Sequence, residues 1–179
     1  MAKKKAVLLV MFLVSLTWGS FALAQREKAF QNDSPIQLNS DRMVFDEKKR
    51  VVVFEGHVVV RRDDVTITAD RLYIYGKQGE QVVMDKPLGE QLDRIELEGS
   101  VRIVQGTKVA SSDKAIYYVG PQKVLLVGNP VVAQGQDRIS GQMITIYLKE
   151  GRSVVEGGQE KPVQVILTPS QTQAGKTSK

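Results

Sequence analysis

Cysteine is absent from the 179 residues, and histidine and tryptophan occur once each. Without cysteine there is no disulfide, no iron–sulfur cluster and no thiolate zinc site. A single histidine, His57, leaves too few imidazoles for a histidine-rich metal cluster. Charge of one sign is also scarce. The formal net charge is +5, and it falls to +2 once Lys3, Lys4 and Lys5 are set aside. That is no nucleic-acid-binding excess, and the body holds no dense Lys/Arg run. No nucleic-acid partner, metal or cofactor is therefore expected. Helical periodicity is missing too: beyond residue 24 no segment of helical length repeats apolar residues at a 3.6-residue spacing.

Catalytic constellations are equally hard to find. A Ser–His–Asp triad would need His57, which sits on the polar side of an expected strand beside Glu55. Asp63-Asp64 reads as a charged hairpin turn rather than half a cation site. Gly175-Lys176-Thr177 imitates the end of a phosphate-binding loop, but Ser170 stands where that loop requires glycine. An enzyme, such as a sugar isomerase on a jellyroll scaffold, is the weakest reading.

What is present begins with an N-terminal signal. Lys3-Lys4-Lys5 precede an uncharged run from Ala6 to Trp18, and Ala22-Leu23-Ala24 is a small-x-small cleavage pattern. This predicts a secretory signal peptide over 1–24, cleaved after Ala24, and a location outside the cytoplasm. The run is short for a membrane span of about 20 residues. Residues 25–34 are polar and predict a flexible segment, and 169–179 predict a disordered tail.

Residues 35–168 read as one repetitive β domain. Glycine follows an apolar run at Gly56, Gly99, Gly128 and Gly157; tyrosine comes nineteen residues after the first three, at Tyr75, Tyr118 and Tyr147. Asp70 and Asp113 stand fourteen residues after Gly56 and Gly99, Gln142 takes that place in the next copy, and Asp41 opens an earlier half-copy. The step between copies is 29 residues except from Gly56 to Gly99, where it is 43. Fixed periods of 20–50 residues mean stacked supersecondary units. The insertion falls in 76–94, where Gln81–Asp85 reads as an extra strand. The aspartates then occupy equivalent corners of successive units, where a turn-capping role is expected.

Superposing the copies assigns faces. Met43/Phe45, Leu72/Ile74, Ala115/Tyr117 and Ile144/Ile146 share one pair of positions, and Leu38, Ile67, Ala110 and Ile139 share another. Phe54, Leu97, Leu126 and Val155 precede the glycines, and Val58/Val60 and Val101/Ile103 follow them. One face is therefore dry, and alternate residues such as Glu55, Arg71, Glu96 and Lys114 face water. Legs of about 10 residues make two sheets facing each other, a sandwich or an open jellyroll. The recurrent glycine predicts a bend where a side chain would crowd the opposite sheet.

Pro35-Ile36-Gln37-Leu38-Asn39-Ser40-Asp41, Val53 to Val60, Ile67-Thr68-Ala69-Asp70 and Leu126-Val127-Gly128-Asn129-Pro130 resemble the LptA/OstA-like family of periplasmic lipopolysaccharide-transport proteins. The likeness runs from about Pro35 to Gln171. It implies an all-β fold, a twisted, slightly open β-jellyroll of stacked antiparallel strands. It also implies a head-to-tail homo-oligomer that bridges inner and outer membranes and carries lipopolysaccharide with its acyl chains in an apolar groove. An LptC-like inner-membrane partner and an LptD-like outer-membrane partner would flank the bridge. The groove candidates are Ile36, Leu38, Phe45, Phe54, Ile67, Ile74, Ile103, Tyr117 and Val119; by resemblance Ile36, Leu38, Tyr117 and Val119 are foremost for acyl contact. The candidate partner edges are the first strand, with Pro35, Gln37 and Asn39, and the last strands, with Ile144, Ile146, Val163 and Val165. The competing reading is a structural or adhesive β-solenoid with a sealed core and no lipid cargo.

Overall fold

The computed structural model describes residues 34–77 and 88–169, with 88 and 89 as backbone only. The expected signal peptide, the 25–33 segment, the extra strand at Gln81–Asp85 and the tail beyond 169 lie outside the described residues. Valine, isoleucine, threonine and tyrosine at period-two spacing suit a pleated, half-buried surface, and these runs form twelve strands of one sheet. They are β1 (Gln37–Asn39), β2 (Arg42–Asp46), β3 (Val51–Arg62), β4 (Val65–Gly76), β5 (Leu92–Gln105) and β6 (Lys108–Tyr118). Then come β7 (Lys123–Val127), β8 (Val131–Gln134), β9 (Asp137–Ser140), β10 (Met143–Tyr147), β11 (Arg152–Glu156) and β12 (Gln164–Ile166). A single helical turn, α1 (Leu88–Gln91), precedes β5.

Pairing divides the sheet into two leaves. Leaf 1 runs β2, the first half of β3, the second half of β4, the first half of β5, the second half of β6, then β7, β10 and β11. Leaf 2 runs β1, the other halves of β3, β4, β5 and β6, then β8, β9 and β12. Each leaf thus holds eight segments, and every pairing is antiparallel. The chain climbs the stack by crossing from one leaf to the other along each rung, and hairpin turns close the far ends. The core cluster joins residues of both leaves, including Leu72, Leu97 and Ile144 from leaf 1 with Val60, Ile67 and Ile103 from leaf 2.

The crossing is made by a repeated corner. Register breaks between Glu55 and Val58, between Thr68 and Arg71, and between Glu98 and Val101. Two successive residues turn left-handed at three of the crossings, which alternate with crossings that carry the aspartates: Gly56 and His57 (φ 77° and 44°), Gly99 and Ser100 (77° and 47°), Gly128 and Asn129 (73° and 54°). An aspartate on the neighbouring rung fills the space a glycine side chain would need. A Cβ on Gly56, Gly99 or Gly128 would collide with the carboxylate of Asp41, Asp70 or Asp113 respectively. The backbone closes two of these corners, with Asp41 N–H donating to Gly56 O at 3.0 Å and Asp113 N–H to Gly128 O at 2.7 Å. The residue after the glycine can also reach the carboxylate. His57 Nδ1 lies 2.7 Å from Asp41 Oδ2, and Asn129 Nδ2 donates to Asp113 Oδ2 at 2.9 Å. At the last crossing Gln142 replaces the aspartate, and its side chain faces Gly158 rather than Gly157.

The aspartates do stand at equivalent corners. Gly56, Gly99 and Gly128 need correction: the adjacent rung's carboxylate crowds them, not the opposite sheet, and their positive φ already disfavours any side chain. Helical content among the described residues is one turn, which has no period for sequence reading to detect.

Gly99→Ala should destabilise the fold by about 2–4 kcal/mol, the left-handed penalty plus a steric clash. Asp70→Ala added to Gly99→Ala should recover part of that loss, because it removes the colliding group. Chemical denaturation of the two singles and the double measures this coupling; strict additivity would show that the carboxylate is not what excludes the Cβ.

At the first corner, the hydrogen bond and the charge of Asp41 hold the His57 imidazole above its usual pKa of 6.5, and Asp70 adds to this from the next rung. A raised folded pKa contributes stability that is complete below the unfolded value and is lost as pH rises through the folded value. The parent should therefore gain Tm relative to His57→Asn on going from pH 8 to pH 6, asparagine being the residue at the equivalent site 129. A pH-independent Tm difference would remove the ion pair from the account of this corner.

Candidate functional site

The space between the leaves is lined by cross-strand ladders that run the whole height of the stack. On leaf 1 one ladder reads Met43, Phe54, Leu72, Leu97, Ala115, Leu126, Ile144, Val155. The next, nearer the far ends, reads Phe45, Val52, Ile74, Ile95, Tyr117, Val124, Ile146, Ser153. On leaf 2 the facing ladder reads Leu38, Val60, Ile67, Ile103, Ala110, Val132, Ile139, Val165. Ser153 is the single polar member. Period-two alternation and constant register place them there, since a one-residue slip would turn a whole strand inside out.

Exposure along the ladders is uneven. The middle is tightly packed: Ile67 and Ile103 are 3% exposed and Tyr117 is 5%. Burial pushes the Tyr117 phenol up from its ordinary pKa. The two ends are open. Ile36, Met43 and Phe45 are exposed at the first rung, and Val163, Val165, Ile166 and Leu167 at the last. Phe45 exposes 52% of its surface and Leu167 exposes 70%. Of the other groove candidates, Leu38, Phe54, Ile74 and Val119 are half-buried against the core. The nine candidates therefore fall into three settings: the open first end, the half-buried margin, and the closed middle.

The edge candidates divide as well. Gln37 and Asn39 lie on β1, which pairs on one side only, with β3, and Pro35 precedes that strand. Val165 lies on β12, which pairs only with β9, and Val163 precedes it. Ile144 and Ile146 do not form an edge. They lie on β10, hydrogen-bonded between β7 and β11, and both are buried. The leaf 1 edge is β11, which the sequence reading passed over. Its signal was the apolar pair Val154-Val155 ahead of Gly157, the same run-then-glycine pattern as the earlier copies.

The outer face of leaf 1 is less simply wet than alternation suggests. Glu96 is 9% exposed, between Arg94 (Nε to Oε1 2.6 Å) and Lys114 (Nζ to Oε2 2.7 Å); Lys114 also reaches Glu98 at 2.8 Å. Burial pushes the Glu96 carboxyl up, but the hydrogen bonds from Lys114 and Arg94 outweigh it and hold it below its usual value. Beside this network the recurrent tyrosines alternate with cations across the strands: Tyr75, Arg94, Tyr118, Lys123, Tyr147, Arg152. Arg94 lies 3.9 Å from the centre of the Tyr75 ring, Lys123 4.9 Å from that of Tyr118, and Arg152 4.1 Å from that of Tyr147. Such contacts contribute roughly 0.5–1 kcal/mol each at exposed sites. The nineteen-residue glycine-to-tyrosine spacing is thus a ladder on the outside of the leaf.

At the last corner, the loop from Gly157 to Lys161 lines a cleft of about 890 Å³ with Gln142, Met143 and Glu156. A smaller one, about 460 Å³, lies between Pro130, Gly141 and Val163. Lys161 Nζ donates to Asn129 Oδ1 where the two clefts meet. The larger cleft is polar and glycine-lined and does not continue the apolar ladders. Among the described residues no group of three or more His, Cys, Asp or Glu is placed to hold a metal. No described helix is long and apolar enough to cross a membrane.

Residues 37–152 match the family described as LptA/(LptD N-terminal domain) LPS transport protein. The lipopolysaccharide export system protein LptA of Escherichia coli K12 is 28% identical over 167 residues, covering 89% of this chain and 87% of the relative. That of Haemophilus influenzae is 27% identical over 176 residues, covering 93% and 95%. The crystal structure of LptH from Pseudomonas aeruginosa, described as the LptA-homologous periplasmic component of the lipopolysaccharide transport device, superposes with a TM-score of 0.60 at 16% identity. That match covers 75% of this chain and 96% of LptH, and it supports the open, stacked antiparallel fold.

Proposed function

The chain belongs to the LptA/LptD N-terminal domain family of lipopolysaccharide transport proteins, and on that premise we propose that it is a periplasmic lipopolysaccharide carrier that joins copies end to end between the two membranes. The observation that carries this reading is the set of apolar ladders continuous from the first rung to the last and uncovered at both ends. An acyl chain costs about 0.8 kcal/mol per CH₂ left in water. A slot lined by consecutive apolar rungs offers it a path of nearly constant energy, with no step at which it must be re-exposed. The half-buried and end positions, Ile36, Leu38, Phe45, Phe54, Ile74 and Val119, are where a chain enters. Ile67, Ile103 and Tyr117 become available when the leaves part.

The ends favour a partner of the same fold. β1 with β2, and β11 with β12, leave backbone groups unpaired, a template for another strand. The eight-segment count matters here. Successive rungs alternate in direction, so with an even number the first rung of a second copy meets the last rung of the first in antiparallel sense. Extending the ladders across that junction sets Met43 beside Val155, Phe45 beside Ser153 and Leu38 beside Val165. The same register sets Arg42 opposite Glu156 and Asp46 opposite Arg152, opposite charges in both cases. The first edge meets an LptC-like inner-membrane partner and the last edge an LptD-like outer-membrane partner at the termini of the bridge.

The closed middle favours a second reading, a sealed β-stack without cargo. Photo-crosslinking in cells separates the two. Photoreactive residues at Phe45, Ile74 and Tyr117, with exposed Arg102 as the outward control, should give lipopolysaccharide adducts at the first two and none at Arg102. An adduct at Tyr117 as well shows the leaves parting. No adduct at any inward site, with the protein folded and exported, would support the sealed stack and reject the carrier.

Glu156→Arg should weaken self-association by about tenfold, through like-charge opposition to Arg42. Arg42→Glu combined with Glu156→Arg should restore it. Sedimentation over a concentration series measures both; an unaffected single variant, or a double no better than the single, would reject this register.

A further inference from the structure

The far ends of the rungs form two rows of turns, one lip on each leaf, and the two lips differ in charge. On leaf 1 the lip carries the tyrosine–cation ladder on its outer side. In the turns just beyond it stand Lys48, Lys49 and Arg50, with Lys149 further up the stack, against Glu47 and Glu150. On leaf 2 the corresponding turns are balanced, with Asp63, Asp64 and Asp137 against Arg62, Lys108 and Arg138. The turns of leaf 1 are tied to one another, which fixes the lip as a continuous edge. Gly76 N–H donates to Arg50 O at 3.0 Å, Val119 N–H to Asp93 O at 3.0 Å, and Leu148 N–H to Gln122 O at 2.9 Å. Val119 and Leu148, half-buried against the core, mark the inner side of the same edge.

Resting on the carrier reading above, we propose that the leaf 1 lip is the headgroup site: it binds the phosphate groups of a phosphorylated saccharide whose acyl chains lie in the slot. An amphiphile entering between the leaves must leave its polar head at one lip or the other. The balanced turns of leaf 2 exert little net pull on an anion, and the cation-rich leaf 1 lip attracts it. Some of its cations are already engaged. Arg94 pairs with Asp93 and Glu96, Arg152 with Glu150, and Lys49 with Asp46 at 3.5 Å. Lys123 lies over Tyr118 and has no carboxylate partner among the described residues, and the same holds for Lys48 and Lys149. These three are the phosphate ligands. Tyrosine rings between the cations present flat faces and hydroxyls to sugar, and a cation held over a ring gives up less freedom on binding. Because the ladder repeats along the stack, the headgroup can pass from one cation to the next while its chains follow the apolar rungs inside.

The test compares the parent with Lys48→Gln/Lys123→Gln/Lys149→Gln and, as a control on the other lip, Lys108→Gln/Arg138→Gln. Binding of lipopolysaccharide, intact and chemically dephosphorylated, is measured in low and high salt. The lip variant should bind intact lipopolysaccharide roughly tenfold more weakly than the parent, with a flatter salt dependence. The parent should lose a similar factor on dephosphorylation, the lip variant should lose little more, and the leaf 2 control should match the parent. Should the triple variant fail to fold, Lys149→Gln alone, placed in an exposed turn, carries the same comparison at smaller amplitude. Equal binding of intact lipopolysaccharide by parent and lip variant, or equal binding of intact and dephosphorylated forms by the parent, would overturn the headgroup site while leaving the acyl carrier standing. A parent that binds neither form would overturn both.

Discussion

Everything in this structure depends on how one rung turns the corner from leaf to leaf. A β-strand that simply continued would make one flat sheet with a dry face exposed to water. The left-handed pair at three of the crossings breaks the register and folds the sheet on itself, so the dry faces meet. That geometry is tolerable only because the first residue of the pair is glycine and because a carboxylate from the adjoining rung takes the vacant volume. Asp41, Asp70 and Asp113 are each supplied by one rung to the glycine of another, which makes the corner a contact between rungs rather than a property of one turn. Stability therefore accrues by neighbour addition along the stack, as in solenoids.

From the corner follows the division of labour between middle and ends. In the middle, each buried aliphatic side chain contributes about 1.5–3 kcal/mol, and the leaves close on each other. At the first and last rungs the same ladders continue but lack a neighbour among the described residues, so Phe45, Met43, Val165 and Leu167 are exposed there. A monomer that ended its own stack would cap these rungs with polar residues. This one leaves apolar side chains and unpaired backbone at both ends of its described residues. The exposed ends and the slot are one feature, since a continuous path for acyl chains requires that the ladders not be capped.

Much of this was legible in the sequence because the repeat is read twice, once as period two along a strand and once as the 29-residue step between copies. Superposition assigned Phe54, Ile67, Leu72, Ile103 and Tyr117 to the interior, and the aspartates to the corners. Other features were illegible for physical reasons. Which strand is an edge depends on pairing, a long-range property, so Ile144 and Ile146 looked terminal only because the fainter β11 follows them. The cause of the glycines lies in a side chain fifteen or twenty-nine residues away. The tyrosines marked the repeat without revealing their face, since alternation reads equally well in either phase until a neighbour in the sheet is known. Degree of burial is likewise invisible, because apolar residues in a closed middle and at an open end have the same pattern.

The two lips give the slot a direction that its apolar lining cannot. Dispersion and hydrophobic burial are non-directional: an acyl chain among Leu72, Ile74 and Ile67 has no preferred lip at which to leave its head. Charge supplies the preference. A cation-rich edge on one leaf and charge-balanced turns on the other set the headgroup on the same side along the stack. In a stack whose copies keep one register, the cationic edge then recurs on the same side in each copy. Orientation of the cargo is in this way fixed by the outer face of one leaf, while its passage is allowed by the inner faces of both.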